Sequence, residues 1–465
     1  MTKEALEKEA GESWWNDNNC SGGLSTKKIY ICGYLASAEP REKRISKLEK
    51  ENADLKEINE GYCRMRKKGK KIGIIDADLI GRKKHRFPNL VCEKLSGYWK
   101  EKGCKVELLL SYDEIDKYDV VYISKVFTDT PFPKNIVESE NIHLGGTGFY
   151  FDKAPNLPDE IEHHMPDYHL YDNWIAEELK KAKSKAEKEN KSFNESSFKQ
   201  QFKEYTDYCI GFLTRGCFRK CGFCVNKKYN HVFEHSPLDE FYTEESKKIC
   251  LLDDNFLGCP NWKNLLDELK AKGKPFKFKQ GLDERLLTNE RCKHLFSSTY
   301  DGDYTFAFDK ISDYELIHKK LKLIRKYTNS TSIKFYVLCG FESTDGKDIE
   351  NVFIRVALIM KFKCLPYIMR FQDKNETPWK HSKYRGMYIA LARWCNQPSI
   401  YKKMSFRQFA IANQERVKTE NHICSTMKAA IDFETEYPEI AKKYYDLRFA
   451  EQDYSDELKE EHKND

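Results

Sequence analysis

Three cysteines stand at C-x3-C-x2-C spacing in Thr214-Arg215-Gly216-Cys217-Phe218-Arg219-Lys220-Cys221-Gly222-Phe223-Cys224. At this chain's cysteine frequency, three at one preset spacing arise by chance about 0.02 times, so the pattern asks for a chemical reason. Thiolates this close in sequence cannot encircle a large site. They can line one side of a compact metal centre, from a loop that Gly216 and Gly222 allow to fold tightly. A closed structural zinc site needs a fourth ligand. His231, His235, Cys209, Cys250 and Cys259 are available for it, but none sits at ribbon or finger spacing. An iron–sulfur cluster held by three cysteines instead leaves one iron free to take a ligand. Cysteines that are simply buried are the third reading.

These residues need a scaffold, and the hydrophobic pattern supplies one. Strand-like runs begin near Tyr208 (YCIGFL), Ile249 (ICLLDD), Phe276 (FKFKQG), Tyr304 (YTFAFD), Ile333 (IKFYVL) and Leu365 (LPYIMRF). Helical patterning fills the intervals at Trp262–Lys272, Thr288–Phe296, Asp313–Tyr327 and Ile349–Phe362. Beyond the first interval, the strand starts recur at about the length of one strand–helix unit. Six such units in succession predict a parallel barrel or part of one, with working residues at the C-terminal ends of its strands. The cysteine loop follows the first strand. Asp253, Asp254 and Asn255 end the second, Gln280, Asp283 and Arg285 the third, and Asp309 the fourth. Glu342 follows the fifth, and Arg370 and Gln372 end the sixth. Each can equally serve as a helix cap or a surface ion pair. Together they make a polar mouth, in which an arginine such as Arg285 or Arg370 can grip a carboxylate bidentately.

Upstream, residues 71–165 alternate strand and helix. Lys71–Ala77, Val106–Leu110, Asp119–Ser124 and Ile142–Leu144 read as strands, and Asn89–Gly103 reads as a helix, which predicts a doubly wound, Rossmann-like parallel sheet. Gly145-Gly146-Thr147-Gly148 does not match a dinucleotide fingerprint and reads as tight-turn glycines. Residues 166–205 are a lysine- and glutamate-rich helical connector, and 376–465 are mostly helical, with Lys383–Trp394 and Ser405–Val417 the clearest pieces.

The cysteine loop resembles that of the radical S-adenosylmethionine enzymes, whose signature is C-x3-C-x-aromatic-C at the end of the first barrel strand; Phe223 occupies the aromatic position. The resemblance covers residues 206–375 as a partial (βα)6 barrel. It implies that Cys217, Cys221 and Cys224 bind three irons of a 4Fe–4S cluster. The fourth iron would chelate the amino and carboxylate groups of S-adenosylmethionine. Reductive cleavage of the sulfonium would then give methionine and a 5′-deoxyadenosyl radical that abstracts a hydrogen atom. Asp253 or Asp254 is expected to approach the cosubstrate's ammonium group, and Gln280, Arg285 and Asp309 to belong to the cofactor-binding mouth. A reductant protein such as flavodoxin or ferredoxin is the implied partner, with Lys220, Lys227 and Lys228 beside the loop to dock it. Residues 71–165 are similar to the cobalamin-binding-type domain of one subgroup. Where that subgroup carries Asp-x-His-x-x-Gly, this chain reads Asp76-Ala77-Asp78-Leu79-Ile80-Gly81. A carboxylate is a poor substitute for imidazole on cobalt, so cobalamin is not expected.

Composition narrows the remaining classes. The chain has 465 residues, 40% of them hydrophobic, with 28 Phe and 27 Tyr, which is too much apolar material for a disordered chain. No run approaches the roughly 18 apolar residues of a membrane span. The opening MTKEALEKEAGE has no apolar core, so a secretory leader is not expected and a cytoplasmic location is. Residues 1–70 read as an appendage. It holds a helix from Ile45, with Ile45, Leu48 and Leu55 at heptad spacing, and a basic stretch at Arg64–Lys71. Arg82, Lys83, Lys84 and Arg86 extend that basic character. With a net charge of only +6, they permit a nucleic-acid substrate without requiring one. Two further readings stay open: a zinc-stabilised nucleic-acid-binding protein, and an iron–sulfur protein that only transfers electrons.

Overall fold

A computed structural model describes residues 69–459 apart from Lys84, Lys227, 373–376, 420–421 and the side chain of Asp152. All that follows concerns the unit Lys71–Asp465. The helix expected from Ile45 and the basic stretch up to Lys68 lie outside the described residues.

The run KIGIID forms strand β1 (Lys71–Asp76), buried at every position but its first, as a strand covered on both faces must be. With β2 (Lys105–Leu108), β3 (Val120–Ser124) and β4 (Ile142–Gly145) it builds a parallel sheet in the order β2-β1-β3-β4. Parallel neighbours need a long crossover. Between β1 and β2 this is the helix Leu90–Glu101, whose N-cap Asn89 accepts from the Val91 N–H at 3.2 Å. The glycines after β4 serve close approach. A Cβ on Gly146, at φ 99°, would stand 2.3 Å from the Lys125 carbonyl oxygen, and one on Gly148 would stand 2.8 Å from the same atom.

The second half contains β5 (Tyr208–Gly211), a two-strand antiparallel hairpin of β6 (Thr214–Arg215) and β7 (Phe233–Glu234), then β8 (Lys248–Leu251), β9 (Phe276–Phe278), β10 (Tyr304–Ala307), β11 (Ile333–Cys339) and β12 (Leu365–Arg370). These give two parallel three-stranded sheets, β5-β8-β9 and β10-β11-β12. A parallel bridge between Phe276 and Tyr300 and the hydrogen bond from Leu282 N to Thr305 O, at 2.8 Å, run between them. The helices Trp262–Ala271, Asn289–Phe296, Tyr314–Tyr327 and Gly346–Lys361 alternate with these strands, as the periodicity predicts. Their apolar stripes join Ile249, Leu251, Phe276, Phe278, Phe306, Phe335 and Val337 in one continuous core. The helical C-terminal region packs on the same core. Its helix Phe406–Gln414 opens with a Ser405–Gln408 capping box, and Phe353 stacks on Tyr444 and meets Phe406 edge-on. Among the described residues no helix is long and apolar enough to cross a membrane.

The connector is wetter than the sheets but not idle. Helix Asp172–Lys188 buries only Trp174. Just before it, the Tyr168 hydroxyl donates to Phe241 O at 2.6 Å and accepts from the Ile210 N–H on β5. The Tyr171 hydroxyl donates to Asp76 Oδ2 at 2.9 Å and accepts from the Asn89 N–H. Two tyrosines thus tie β1 to β5. The basic residues nearby are partly consumed by the fold. Arg82 pairs with Asp129 at 2.6 Å, and Arg86 donates to His85 O at 2.6 Å and lies over Phe202.

One buried group opposes stability. Glu93 is completely buried and both its carboxyl oxygens lack a hydrogen-bond partner. Burial, with Asp167 and Asp76 nearby, pushes its pKa well above the ordinary carboxylate range. The folded chain therefore holds Glu93 protonated at pH values where the unfolded chain ionises it, and the resulting penalty grows as pH rises from the ordinary glutamate value. Glu93→Met removes both orphaned oxygens at similar volume. It is expected to raise the melting temperature by several degrees at pH 8 and by less at pH 5, as read by calorimetry. An equal or negative change at the two pH values would contradict this account.

Candidate metal centre

The cysteine loop is the long connection of the β6–β7 hairpin, and two neighbouring carboxylates at the end of β8 hold its root. Asp253 is completely buried. Its Oδ1 accepts from Thr214 N and Thr214 Oγ1, both at 2.7 Å, and its Oδ2 accepts from Leu213 N at 3.3 Å. Asp254 accepts from the Gly216 N–H at 2.9 Å and from the Asn226 amide, so it grips the loop on both sides of the cysteines. Burial pushes Asp253 up to about 7 and raises Asp254, against the hydrogen bonds each accepts. Gly216 is required here. Its φ is 86°, and a Cβ would meet the His231 carbonyl oxygen at 2.2 Å.

Within the loop, Cys217, Cys221 and Cys224 are free thiols, half-buried. The Cys224 N–H donates to Cys221 O at 3.1 Å, a tight turn that brings the two residues together. Burial pushes the Cys221 and Cys224 thiols up. The Cys217 charge acts in the same direction at Cys221, and the charges of Cys221 and Cys217 do so at Cys224. Arg285 opposes this at Cys221, and the Asn226 N–H opposes it at Cys224. Three N–H groups already point at sulfur: Arg219 N and Asn255 Nδ2 toward Cys217 at 3.3 and 3.4 Å, and Asn226 N toward Cys224 at 3.3 Å. Such donors stabilise thiolates and tune a metal bound to them. Among the described residues, no three His, Cys, Asp or Glu side chains are gathered as ligands of a single metal ion. The aromatic position is packed rather than free: Phe223 meets Phe341 edge-on at 5.6 Å.

Asp253, completely buried, and Asp254, half-buried, both have their oxygens engaged by the loop and position it. The next residue is different. Asn255 is 3% exposed, its Nδ2 reaches Cys217 and also Asp283 Oδ2 at 3.4 Å, and its Oδ1 is buried with no partner. An orphaned carbonyl oxygen beside a cysteine sulfur suits a cationic or N–H-bearing guest. Arg285 and Arg219 converge on Asp283 at 2.6 and 2.8 Å. Burial alone would raise Asp283, but the two guanidinium groups outweigh it and hold the carboxyl below its usual value. Asp309 is half-buried and pushed up to about 6 by burial, with Arg355 acting against that. It lines a cleft of about 350 Å³ with Phe223, Leu338, Phe341, Glu342 and Arg355. Arg355 fixes that wall by donating to the carbonyls of Phe308, Asp309 and Leu338. Gln280 is exposed at the end of β9, as are Arg370, over the Trp379 ring, and Gln372 after β12. Glu342 pairs with Lys310 at the cleft rim.

Asp78, at the place of the subgroup's cobalt-binding histidine, is buried and accepts from Val126 N at 2.6 Å, Phe127 N at 3.4 Å and Thr130 Oγ1. It caps the loop after β3. Spacing alone did not single out Asn255, Asn226 or Arg219. The nearest signal was the placement of Asn255 directly after two carboxylates at a strand end.

No protein-family model matches the chain, and no curated protein matches it either.

Proposed function

We propose that this chain is a radical S-adenosylmethionine enzyme in which the two parallel sheets, read in sequence order, act as a partial six-stranded barrel with the cysteine loop at its mouth. The observation that carries the reading is the conjunction at that mouth. Three half-buried free thiols follow the first strand, two carboxylates of the second strand hold their loop, and one buried amide oxygen beside Cys217 lacks a partner. Three thiols with no fourth cysteine in the loop suit a 4Fe–4S cluster with one open corner. Cys217, Cys221 and Cys224 would hold it.

When bound, such a cluster supplies one electron to the sulfonium of S-adenosylmethionine, whose cleavage yields methionine and a 5′-deoxyadenosyl radical able to take a hydrogen atom from the substrate. The chain's own residues prepare that event. Asp253 and Asp254 keep the loop in ligating shape. Asn255, rather than the two aspartates, offers its oxygen to the cosubstrate's ammonium, and its N–H and that of Arg219 offset charge on Cys217. Arg285, held by Asp283, places positive charge near Cys221. The cleft lined by Asp309 and Phe341 lies beside the loop residue Phe223. Exposed Lys220 and Lys228 form a basic rim for an acidic reductant of the flavodoxin or ferredoxin kind. Cobalamin has no place in this reading. A nucleic-acid substrate is the weaker choice, because Arg82 and Arg86 already have partners within the fold.

Anaerobic reconstitution with iron and sulfide tests the proposal. The expected outcome is a four-iron cluster whose electron paramagnetic resonance signal changes on adding S-adenosylmethionine, followed by 5′-deoxyadenosine when dithionite is supplied. Stoichiometric zinc without iron uptake would overturn it in favour of a metal-stabilised binding protein. A cluster indifferent to the cosubstrate would leave only electron transfer.

A further inference from the structure

The N-terminal region reaches the cysteine loop at Lys228, which donates to Ala154 O and Asn156 Oδ1, and at the loop's root through one carboxylate. Glu162, on the short helix Asp159–Glu162, accepts at Oε1 from three cationic or N–H-bearing side chains. These are Lys94 Nζ at 3.1 Å, Arg215 at 3.1 Å and His235 Nε2 at 3.0 Å. Lys94 belongs to the crossover helix Leu90–Glu101 and also donates to the Glu162 backbone carbonyl. Arg215 is the last residue of β6, two before Cys217, and His235 follows β7 directly. Glu162 therefore ties the pair that closes the root of the cysteine loop to the crossover helix of the sheet. Burial alone would raise Glu162. His235, Lys94 and Arg215 outweigh it and hold the carboxyl well below the usual range.

The same loop is held by Asp254, which accepts from Gly216 and Asn226, so Glu162 and Asp254 secure it through different residues.

We infer that Glu162 is a positioning residue: it is a strut through which the N-terminal sheet holds the root of the cysteine loop, by binding Arg215 and His235. The inference builds on the proposed role of the loop, but its first readout does not need a metal. In the metal-free full-length protein, amide hydrogen exchange across 213–226 is expected to be roughly tenfold faster or more in Glu162→Gln. Glu162→Asp, which keeps the charge, is expected to restore part of the protection. Lys94→Met loosens the anchor of Glu162 on the crossover helix and is expected to accelerate loop exchange as well. Lys277→Met, which breaks a comparably buried ion pair with Glu204 outside the loop, serves as the control for general damage. It should lower the melting temperature and leave loop exchange as in the wild type. After reconstitution, Glu162→Gln should need about tenfold more S-adenosylmethionine to produce the same spectral change. If Glu162→Gln and Lys277→Met accelerate loop exchange equally, or if Glu162→Gln leaves it unchanged, the strut is overturned. Should the wild type take up no iron, the enzyme reading fails while the exchange comparison still decides the role of Glu162.

Discussion

Alanine at Cys217, Cys221 or Cys224 is expected to reduce iron content after reconstitution to that of an unreconstituted control and to abolish 5′-deoxyadenosine formation. Alanine at Cys250 or Cys292 should change neither by more than its cost in stability. The contrast follows from burial. Cys250 and Cys292 are completely enclosed, and burial pushes each thiol up to about 12. A sulfur in that state packs as a small apolar group and does not ligate. The loop cysteines are half-exposed, Cys217 and Cys224 receive N–H donors and Cys221 feels the charge of Arg285, conditions under which a metal can displace the thiol protons. The measurement is iron and sulfide analysis beside product detection by mass spectrometry, with circular dichroism to confirm folding. Iron retained by all three loop variants would remove the basis of the proposed chemistry. Serine in place of the same cysteines sharpens the test, since it can still accept the hydrogen bonds from Arg219 and Asn226 but is a poor ligand. If serine behaves as alanine does, ligation and not loop architecture is what was lost.

How far the sequence could be read depends on the range of the interaction involved. Periodicity is local, so β1, β8, β11 and the helices between the strands of the second half fall where the apolar spacing puts them. The cysteine spacing is local too. The hairpin of β6 and β7 escaped because two-residue strands carry no period, and its partners are nearly twenty residues apart. The roles of Asp253 and Asp254 escaped for a related reason. A carboxylate at a strand end reads alike whether it faces a guest or grips backbone N–H groups about forty residues earlier in the chain, and only the fold shows that both grip the loop. Asp78 illustrates the same limit from the other side. Its departure from the cobalamin pattern was legible, but not that its oxygens cap the turn at Val126–Thr130. The charged segments mislead in a further way, since composition records Arg82 and Arg86 as basic while the fold pairs one with Asp129 and lays the other against Phe202.

Asp253 is where position and chemistry meet most directly, and its removal should have the largest effect on the loop. Asp253→Ala strands three buried donors, Leu213 N, Thr214 N and Thr214 Oγ1. At about 1–3 kcal/mol for each unsatisfied buried group, the loss is of order 3–9 kcal/mol, comparable with the whole stability of many domains. The expected result is a large fall in the urea midpoint followed by tryptophan fluorescence, together with failure to retain iron. Asp253→Asn separates shape from charge. It keeps an acceptor for Thr214 but turns an N–H2 group toward the Leu213 N–H, so it should be less stable than wild type and more stable than Asp253→Ala. The pH dependence then has a definite sign. Burial raises Asp253 to about 7, above its ordinary value near 3.8. The wild-type contribution is therefore full below the ordinary value and declines as pH rises toward 7. Asparagine has no such decline, so the stability gap between wild type and Asp253→Asn should be larger at pH 5 than at pH 8. A gap that widens over the same interval would mean that Asp253 is ionised throughout. Its carboxylate would then owe its place to attraction for the loop's N–H groups, strong enough to outweigh the cost of burying the charge.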